Sequence, residues 1–306
     1  MQSASDYGMG RLRGLKVRFA GGGRNPVRPW AGRNPVAEIL HHVVLALLML
    51  AVCLPFAGCE SPLSSEGMEL SGEKAGQDQD TAMAVDQPVV LELFTSQGCS
   101  SCPPADRLLS ELHNEAKIAG REVIVLSHHV DYWNRLGWTD PYSSREASER
   151  QQYYVRALEA RGSYTPQMVV DGRYETVGHR ETEIRRLIRK GYPSPVPMQL
   201  EIINGKKDPL IRIVLSRSMQ RDEELSLFLV QDKVENSVPA GENEGRHLHH
   251  DGVTLAHKVL KGERIFEVGS RFLPSREGQY RLIALLQSRS GIVGAVQIPV
   301  HPRKIR

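Results

Sequence analysis

The feature that most constrains this chain is a run of apolar residues that leads directly into two cysteines. The sequence VVLELF at 89–94 is followed, after four polar or small residues, by the C-x-x-C pair Cys99 and Cys102. Beyond Cys102 the apolar residues recur at helical spacing, and the prolines at 103 and 104 suit a first helical turn. The pattern predicts a buried strand that ends on a dithiol, with the dithiol at the N-terminus of a helix.

The predicted position at a helix N-terminus should lower the pKa of the first cysteine. Unpaired backbone N–H groups and the positive end of the helix dipole favour a thiolate over a thiol, and C-x-x-C cysteines so placed can have pKa values lowered to about 3.5–7.5. Cys99 would then be the attacking sulfur and Cys102 the resolving one. Because half of a zinc site has the same spacing, metal binding is an alternative, and a merely structural disulfide is another.

The N-terminal segment has the composition of an export signal. A positively charged region precedes an apolar run at 43–57, which is short for a membrane span and typical of a secretory signal. The run ends in FAGC at 56–59, and small residues before a cysteine resemble a bacterial lipobox, although Phe56 stands where leucine is preferred. We therefore predict a leader over 1–59 and a lipid anchor at Cys59. Ordinary cleavage near Gly58 and an uncleaved anchor are the alternatives.

The basic charge of the chain belongs to that leader. Seven of the 39 basic residues precede residue 59, against two of the 36 acidic ones. The remainder is nearly neutral and has no basic patch with interleaved aromatic residues, so we expect no nucleic-acid partner. Residues 60–85 are polar and aperiodic and are predicted to form a flexible linker. Without the leader, only Cys99 and Cys102 remain to pair with each other.

Beyond residue 86 the pattern first alternates strands and helices and then changes. Strands are predicted at 121–128, 167–171 and 174–177, and helices after Cys102, from 143 to 162 and up to 191. From 198 onward, short apolar runs separated by turn signals replace the helices. The sequence predicts an α/β domain over 86–192, followed by an all-β, sandwich-like domain over 193–306.

Three motifs resemble those of one known family. They are LELFTSQGCSSCPPAD at 91–106, HVDYWNRLGWTDP at 129–141 and YTPQMVVDG at 164–172, and they are similar to motifs of exported bacterial thioredoxin-like proteins still labelled as a domain of unknown function. The resemblance implies that the α/β domain has a thioredoxin-like fold. It also implies that Pro166 is cis beside the dithiol, and that the backbone of Thr165 pairs with a bound substrate strand.

The same resemblance gives a role to Glu92. Several relatives place a buried acid in the strand before the dithiol, where it shuttles a proton to the resolving cysteine. Burial would raise the pKa of such a carboxyl. Glu92 precedes Cys99 by seven positions where many relatives have six, which an inserted residue within 95–98 would accommodate. The alternative is a carboxylate at a strand edge that faces solvent.

Two histidine-bearing segments are further candidates. His128, His129 and Asp131 follow the second strand, at the edge where open α/β sheets bind ligands, and would tune the thiols or join them around a metal. Trp133 and Trp138 would line a peptide groove. The loop 241–251 holds three histidines and is a second candidate for metal binding. For both segments the alternative is an ordinary packed or solvated loop.

The sequence favours an exported thiol-disulfide oxidoreductase that acts on protein thiols and disulfides in the periplasm and needs no cofactor. One alternative is a periplasmic metal-binding module or metallochaperone that holds copper or zinc through the two thiolates and a histidine. Another is a scaffold with a vestigial dithiol, whose β domain binds partners. Ser100 and Ser101, which separate the cysteines, are uncharged. They therefore do not indicate whether the dithiol acts as a reductant, an oxidant or an isomerase.

Overall fold

The apolar run that leads to the cysteines forms a central strand, β1 (Val89–Thr95), and every residue of it is buried. A computed structural model describes this strand within residues 88–191, 195–206 and 208–302. The predicted leader, Cys59 and the linker 60–85 lie outside the described residues. Within the described ranges, no helix has the length and apolar character needed to cross a membrane.

After β1 the described part of the chain alternates helices and strands up to residue 188 and then consists mainly of strands. In chain order the elements are α1 (Pro103–Asn114), β2 (Lys117–Ile118), β3 (Arg121–His129), a 3₁₀ helix (Asp131–Leu136), α2 (Arg145–Ala157), β4 (Gln167–Val170), β5 (Tyr174–Val177), α3 (Glu181–Ile188), β6 (Met198–Ile203), β7 (Leu210–Leu215), β8 (Glu224–Asp232), β9 (Val234–Ser237), β10 (His247–His250), β11 (Val253–Leu260), β12 (Ile265–Gly269), a second 3₁₀ helix (Ser270–Phe272), β13 (Gln279–Ser288) and β14 (Gly291–Val300).

One mixed sheet of nine strands contains strands from both halves of the chain. Its order is β14-β13-β8-β11-β3-β1-β4-β5, with β2 paired to β3. Strand β1 is parallel to β3 and antiparallel to β4. Strand β11 joins β3 in parallel, with Val253 opposite Ser127. A three-stranded sheet, β12-β7-β6, and the hairpin β9–β10 complete the strands of the described residues.

This architecture contradicts the predicted fold class. An α/β thioredoxin-like domain followed by a separate all-β sandwich-like domain is wrong, because strands outweigh helices in the described residues and one large mixed sheet passes through both regions. The short strands after residue 198 were expected to pair among themselves. They do pair with one another, but β11 also pairs with β3, so β8, β11, β13 and β14 extend the sheet begun by β1 and β3.

Alternation along β1 separates two packed faces. Leu91 and Leu93 belong to the core that α1 and α3 cover, together with Ala105 of α1. Phe94 belongs to the opposite core, where it packs with Tyr154 of α2. Successive side chains of a strand point to opposite faces, so Glu92 shares the α2 face. The small sheet β12-β7-β6 packs on β8 and β13 in a third core.

The junction between the two halves of the large sheet depends on Gly252. Its carbonyl accepts the N–H of Ser127 at 2.7 Å, and its own N–H donates to Asp232 Oδ1 at 2.8 Å. Gly252 has φ +67°, and a Cβ added there would lie 2.7 Å from the carbonyl oxygen of Val125. A side chain at this position would therefore push β11 away from β3.

We expect Gly252→Ala to lower the free energy of unfolding by roughly 2–4 kcal/mol, because left-handed strain and a steric clash add. The matched control is Gly120→Ala, since Gly120 has φ +78° but open space around the added Cβ. The control should lose only about 1 kcal/mol from backbone strain. Urea denaturation of both variants measures the difference. Equal losses would mean that the β3–β11 junction tolerates a side chain.

Candidate functional site

Cys99 and Cys102 form a disulfide at the start of α1, with their Cα atoms 5.4 Å apart. Cys102 is the N-cap residue of α1, and its carbonyl accepts the N–H groups of Ala105 at 2.8 Å and Asp106 at 3.1 Å. Prolines occupy the first helical positions, 103 and 104. The dithiol thus lies where the sequence pattern predicted it, between the end of β1 and the first turn of α1.

Neither cysteine has any exposed surface, although Ser100 and Ser101 between them are exposed. The loop between β9 and β10 is bound to this turn. The side-chain amide of Asn243 donates to the carbonyls of Gln97 at 2.8 Å and Cys99 at 2.9 Å. The N–H of Ser100 donates to Glu242 Oε2 at 3.0 Å. These contacts join residues more than 140 positions apart, and no pattern in the sequence predicted them.

The bond between Thr165 and Pro166 is cis, as the resemblance implies. Trp133 connects this bond to the dithiol turn. Its indole N–H donates to Thr165 Oγ1 at 2.8 Å, and a Cβ added at Gly98, next to Cys99, would lie 3.3 Å from the Cβ of Trp133. Thr165 and the dithiol turn therefore flank the same half-buried tryptophan.

Glu92 is fully buried but on the α2 face of the sheet. It accepts hydrogen bonds from His128 Nε2 at 2.8 Å and from Arg150 Nη2 at 2.8 Å, and further ones from Arg150 Nε and the Tyr154 hydroxyl. Burial opposes ionisation of this carboxyl. The charge of Arg150 and the hydrogen bond from His128 outweigh burial and hold the pKa of Glu92 well below its usual range.

The raised pKa predicted for Glu92 is therefore wrong, and so is the solvent-facing alternative. The seven-residue spacing to Cys99 explains the difference. Because side chains alternate along a strand, a change of one position moves a residue to the opposite face. Leu93 points towards α1 instead, and Glu92 forms an internal ion pair away from the helix that carries Cys102.

A second buried polar cluster lies on the dithiol side and is built around Gln97. Its N–H donates to Asp140 Oδ2 at 2.8 Å. Its side-chain oxygen accepts from Trp138 Nε1 at 3.1 Å and Asn236 Nδ2 at 2.8 Å. Two donors on one oxygen fix the orientation of the amide. The NH₂ group of Gln97 consequently faces His250 Nε2, at 3.4 Å.

His129 and Asp140 bring charge into this cluster. His129 Nδ1 donates to Asp140 Oδ2 at 2.7 Å. Burial lowers the pKa of His129, but the neighbouring charges of Asp140 and Asp106 outweigh it and raise that pKa above its ordinary value. Burial likewise opposes ionisation of Asp140, yet His129 and two backbone N–H groups bring its pKa down to about 2. His250 stacks edge to face on His129, with ring centres 4.8 Å apart.

The predicted histidine segments do not gather around the sulfurs. His128 binds Glu92 and His129 binds Asp140, while Asp131 accepts from the Ser148 hydroxyl at 2.6 Å. Residues 247–250 form strand β10, so alternation exposes His247 and His249 and buries His250. Among the described residues, no group of three or more His, Cys, Asp and Glu side chains has an arrangement that could hold a metal ion.

The internal ion pair of Glu92 should contribute to stability rather than to reactivity. At pH 7, Glu92→Gln leaves Arg150 buried without its counter-charge, so we expect a loss of roughly 3–5 kcal/mol in the free energy of unfolding. A carboxyl whose pKa is lower in the folded state stabilises while it is ionised. The difference in free energy of unfolding between wild type and variant should therefore be largest above about pH 4.3. It should shrink as the pH falls further.

Denaturant unfolding at pH 7 and pH 3 measures this difference. The double variant Glu92→Gln/Arg150→Met is the control, because removing both charges should restore part of the loss. A Glu92→Gln protein as stable as wild type at pH 7 would contradict the assignment.

Two proteins of known structure are similar to this chain over most of its length. A protein from Agrobacterium tumefaciens is 27% identical over 71% of this chain and 96% of its own, with a TM-score of 0.54. HBP35 of Porphyromonas gingivalis is 14% identical, over 72% of this chain and 78% of its own, with a TM-score of 0.49. Among curated proteins none matches.

A family model matches residues 90–279, which is more than half of the chain and includes the dithiol, the cis proline and both buried polar clusters. The chain therefore belongs to the family described as protein of unknown function (DUF1223).

Proposed function

We propose that this protein is an exported thiol-disulfide oxidoreductase that acts on protein thiols and disulfides through Cys99 and Cys102. The observation that carries the proposal is the disulfide between these residues at the N-terminus of α1. A helix N-terminus favours negative charge, so reduction of the disulfide there would leave a stabilised thiolate. The cis peptide bond at Thr165–Pro166, linked to the dithiol turn by Trp133, supports a place where a substrate backbone would dock.

The reaction would proceed by two displacements. In the reduced protein the Cys99 thiolate attacks a substrate disulfide, forms a mixed disulfide and releases one substrate thiolate. The Cys102 sulfur, after losing its proton, then attacks Cys99 Sγ, which releases the second substrate sulfur and closes the Cys99–Cys102 bond. The protein is oxidised and the substrate disulfide is reduced. The reverse sequence oxidises a substrate dithiol.

Access to Cys99 requires a local movement. Both cysteines are covered, and Asn243 and Glu242 bind the carbonyl and N–H groups of the turn between them. A substrate would displace the β9–β10 loop before reaching the sulfur. The same cover favours a second candidate, a purely structural disulfide, because such a bond needs no access.

The two cysteines should differ when each is replaced. Attack needs only Cys99, whereas release of the substrate needs Cys102. We expect Cys102→Ser to accumulate mixed disulfides with exported proteins, visible as bands of higher mass on non-reducing gels that collapse with reductant. Cys99→Ser should trap few partners or none, because the thiol that makes the first attack is gone.

The double variant Cys99→Ser/Cys102→Ser is the background for these gels. Two single variants that trap nothing and lose equal stability would favour the structural disulfide. Two that trap nothing but lose bound copper or zinc equally would favour the metal-binding alternative, because each would remove one ligand.

We further propose that the leader 1–59 directs export and that Cys59 becomes a lipidated N-terminus, which would hold the protein at a membrane facing the periplasm. Mass spectrometry of the membrane fraction should then find an acylated peptide that begins at Cys59. Cys59→Ala should block acylation and release the protein from the membrane. A mature chain that begins at Glu60 or later without a lipid would contradict this proposal.

A further inference from the structure

The resolving step of the proposed reaction needs a group that accepts the proton of Cys102, and Glu92 does not fill that role. Glu92 lies on the opposite face of the sheet and is paired with Arg150. The acceptor must instead lie on the face that carries α1. Buried titratable residues on that face include Asp106 of α1, His129 of β3, His250 of β10 and Asp140 of the loop before α2. Glu242 binds the N–H of Ser100 from the exposed side of the turn, and His113 lies further along α1, beside Asp232.

Asp106 is the member of this group nearest to Cys102 along the helix. It follows Cys102 by four positions, and its N–H donates to the Cys102 carbonyl at 3.1 Å. Cys102 has helical dihedral angles, φ −79° and ψ −36°. Residues four apart share one face of a helix, and a helical side chain covers the turn on its N-terminal side. The Asp106 carboxyl therefore lies over the turn that contains Cys102.

Asp106 is also the member whose oxygens are least satisfied. Its side chain is 4% exposed, yet within the described part of the chain neither carboxyl oxygen has a hydrogen-bond partner. The neighbouring Asp140 differs, because it accepts from His129, from the N–H of Gln97 and from the N–H of Tyr142 at 2.9 Å. Both oxygens of the Asp106 carboxyl are therefore available to accept a hydrogen bond from a neighbouring donor.

His250 of β10 faces the Asp106 carboxyl from another element. His250 Nδ1 lies 3.6 Å from Asp106 Oδ1. The fixed amide of Gln97 donates towards His250 Nε2, so a neutral His250 carries its proton on Nδ1 and directs it at Asp106. The spacing exceeds a hydrogen bond and closes with a small shift of either side chain. His250 would thus hold the carboxyl in place.

We propose that Asp106 accepts the proton of Cys102 in the resolving step, with His250 as the residue that positions it. This inference rests on the proposed thiol-disulfide exchange. The Cys102 thiol gives its proton to an Asp106 oxygen, and the resulting thiolate attacks Cys99 Sγ of the mixed disulfide. The bond between Cys99 and the substrate sulfur breaks, the Cys99–Cys102 bond forms, and the leaving sulfur departs as a thiolate. Asp106 then returns the proton to that sulfur or to water.

Reaction of the reduced protein with 5,5′-dithiobis(2-nitrobenzoate) separates the two steps. Attack by Cys99 releases one coloured thiolate, and resolution by Cys102 releases the second. At pH 7, Asp106→Asn should slow the second release at least tenfold and leave the first unchanged, since general bases contribute about 10²–10⁴ in rate. The matched control is Glu111→Gln, because Glu111 is exposed on the same helix; it should change neither release.

The pH profile distinguishes proton transfer from a structural effect. Without an internal base, resolution depends on spontaneous ionisation of Cys102, whose ordinary pKa is about 8.5. The deficit of Asp106→Asn should therefore disappear above about pH 9, and Asp106→Glu should restore part of the rate at pH 7. The assignment would be overturned if the second release in Asp106→Asn had the rate and the pH profile of the wild type.

Two further outcomes are decisive. If Asp106→Asn does not fold, the wild-type protein in heavy water should show a solvent isotope effect on the second release that exceeds the one on the first, and equal effects would overturn the assignment. If the wild-type protein releases no thiolate in the first phase, the proposed function itself fails, and with it this inference. If the first release is normal and the second release is unaltered in Asp106→Asn, the role of Asp106 is rejected but the proposed function is not.

Discussion

The side-chain alternation of β1 is the constraint on which the rest of the site depends. β1 is hydrogen-bonded on both edges, to β3 and to β4, and both of its faces are covered by helices. Its register therefore fixes which side chains meet α1 and which meet α2. Leu93 is directed at the helix that carries the dithiol, and Glu92 is directed away from it. A one-residue change in the connection to Cys99 would exchange these two environments.

The two faces hold buried charge in different ways. On the α2 face Glu92 has donors for both oxygens, and its partner Arg150 is held at high pKa by that carboxylate despite burial. Because both Glu92 oxygens accept hydrogen bonds and Arg150 holds the carboxylate ionised, Glu92 is poorly suited to exchange a proton. On the α1 face Asp106 has no donor within hydrogen-bond distance among the described residues. Asp106 is therefore the less satisfied of these two buried carboxyls.

Local features of the sequence predicted the local features of the structure. The apolar run at 89–94 and the prolines after Cys102 locate β1 and the start of α1, whereas the cis bond at Thr165–Pro166 was implied by the family resemblance alone. The pairing of β11 with β3 joins Ser127 to a glycine 125 positions later, and such contacts leave no periodic signal. Gln97 and Asn243 escaped prediction for the same reason, and His250 was predicted only as part of a candidate metal-binding loop. Asp106 carried one usable signal, its four-residue spacing from Cys102 on a helical pattern.

The first turn of α1 also limits how the dithiol is stabilised. Pro103 and Pro104 have no N–H groups, so the turn lacks two of the donors that helix N-termini usually offer to an anion. The hydroxyl of Ser101 lies 3.4 Å from Cys99 Sγ and replaces one of them. Asn243 and Glu242 meanwhile bind the carbonyl and N–H groups of the same turn. The geometry of the turn is thus held from the β9–β10 loop, through hydrogen bonds to the backbone of Cys99 and Ser100.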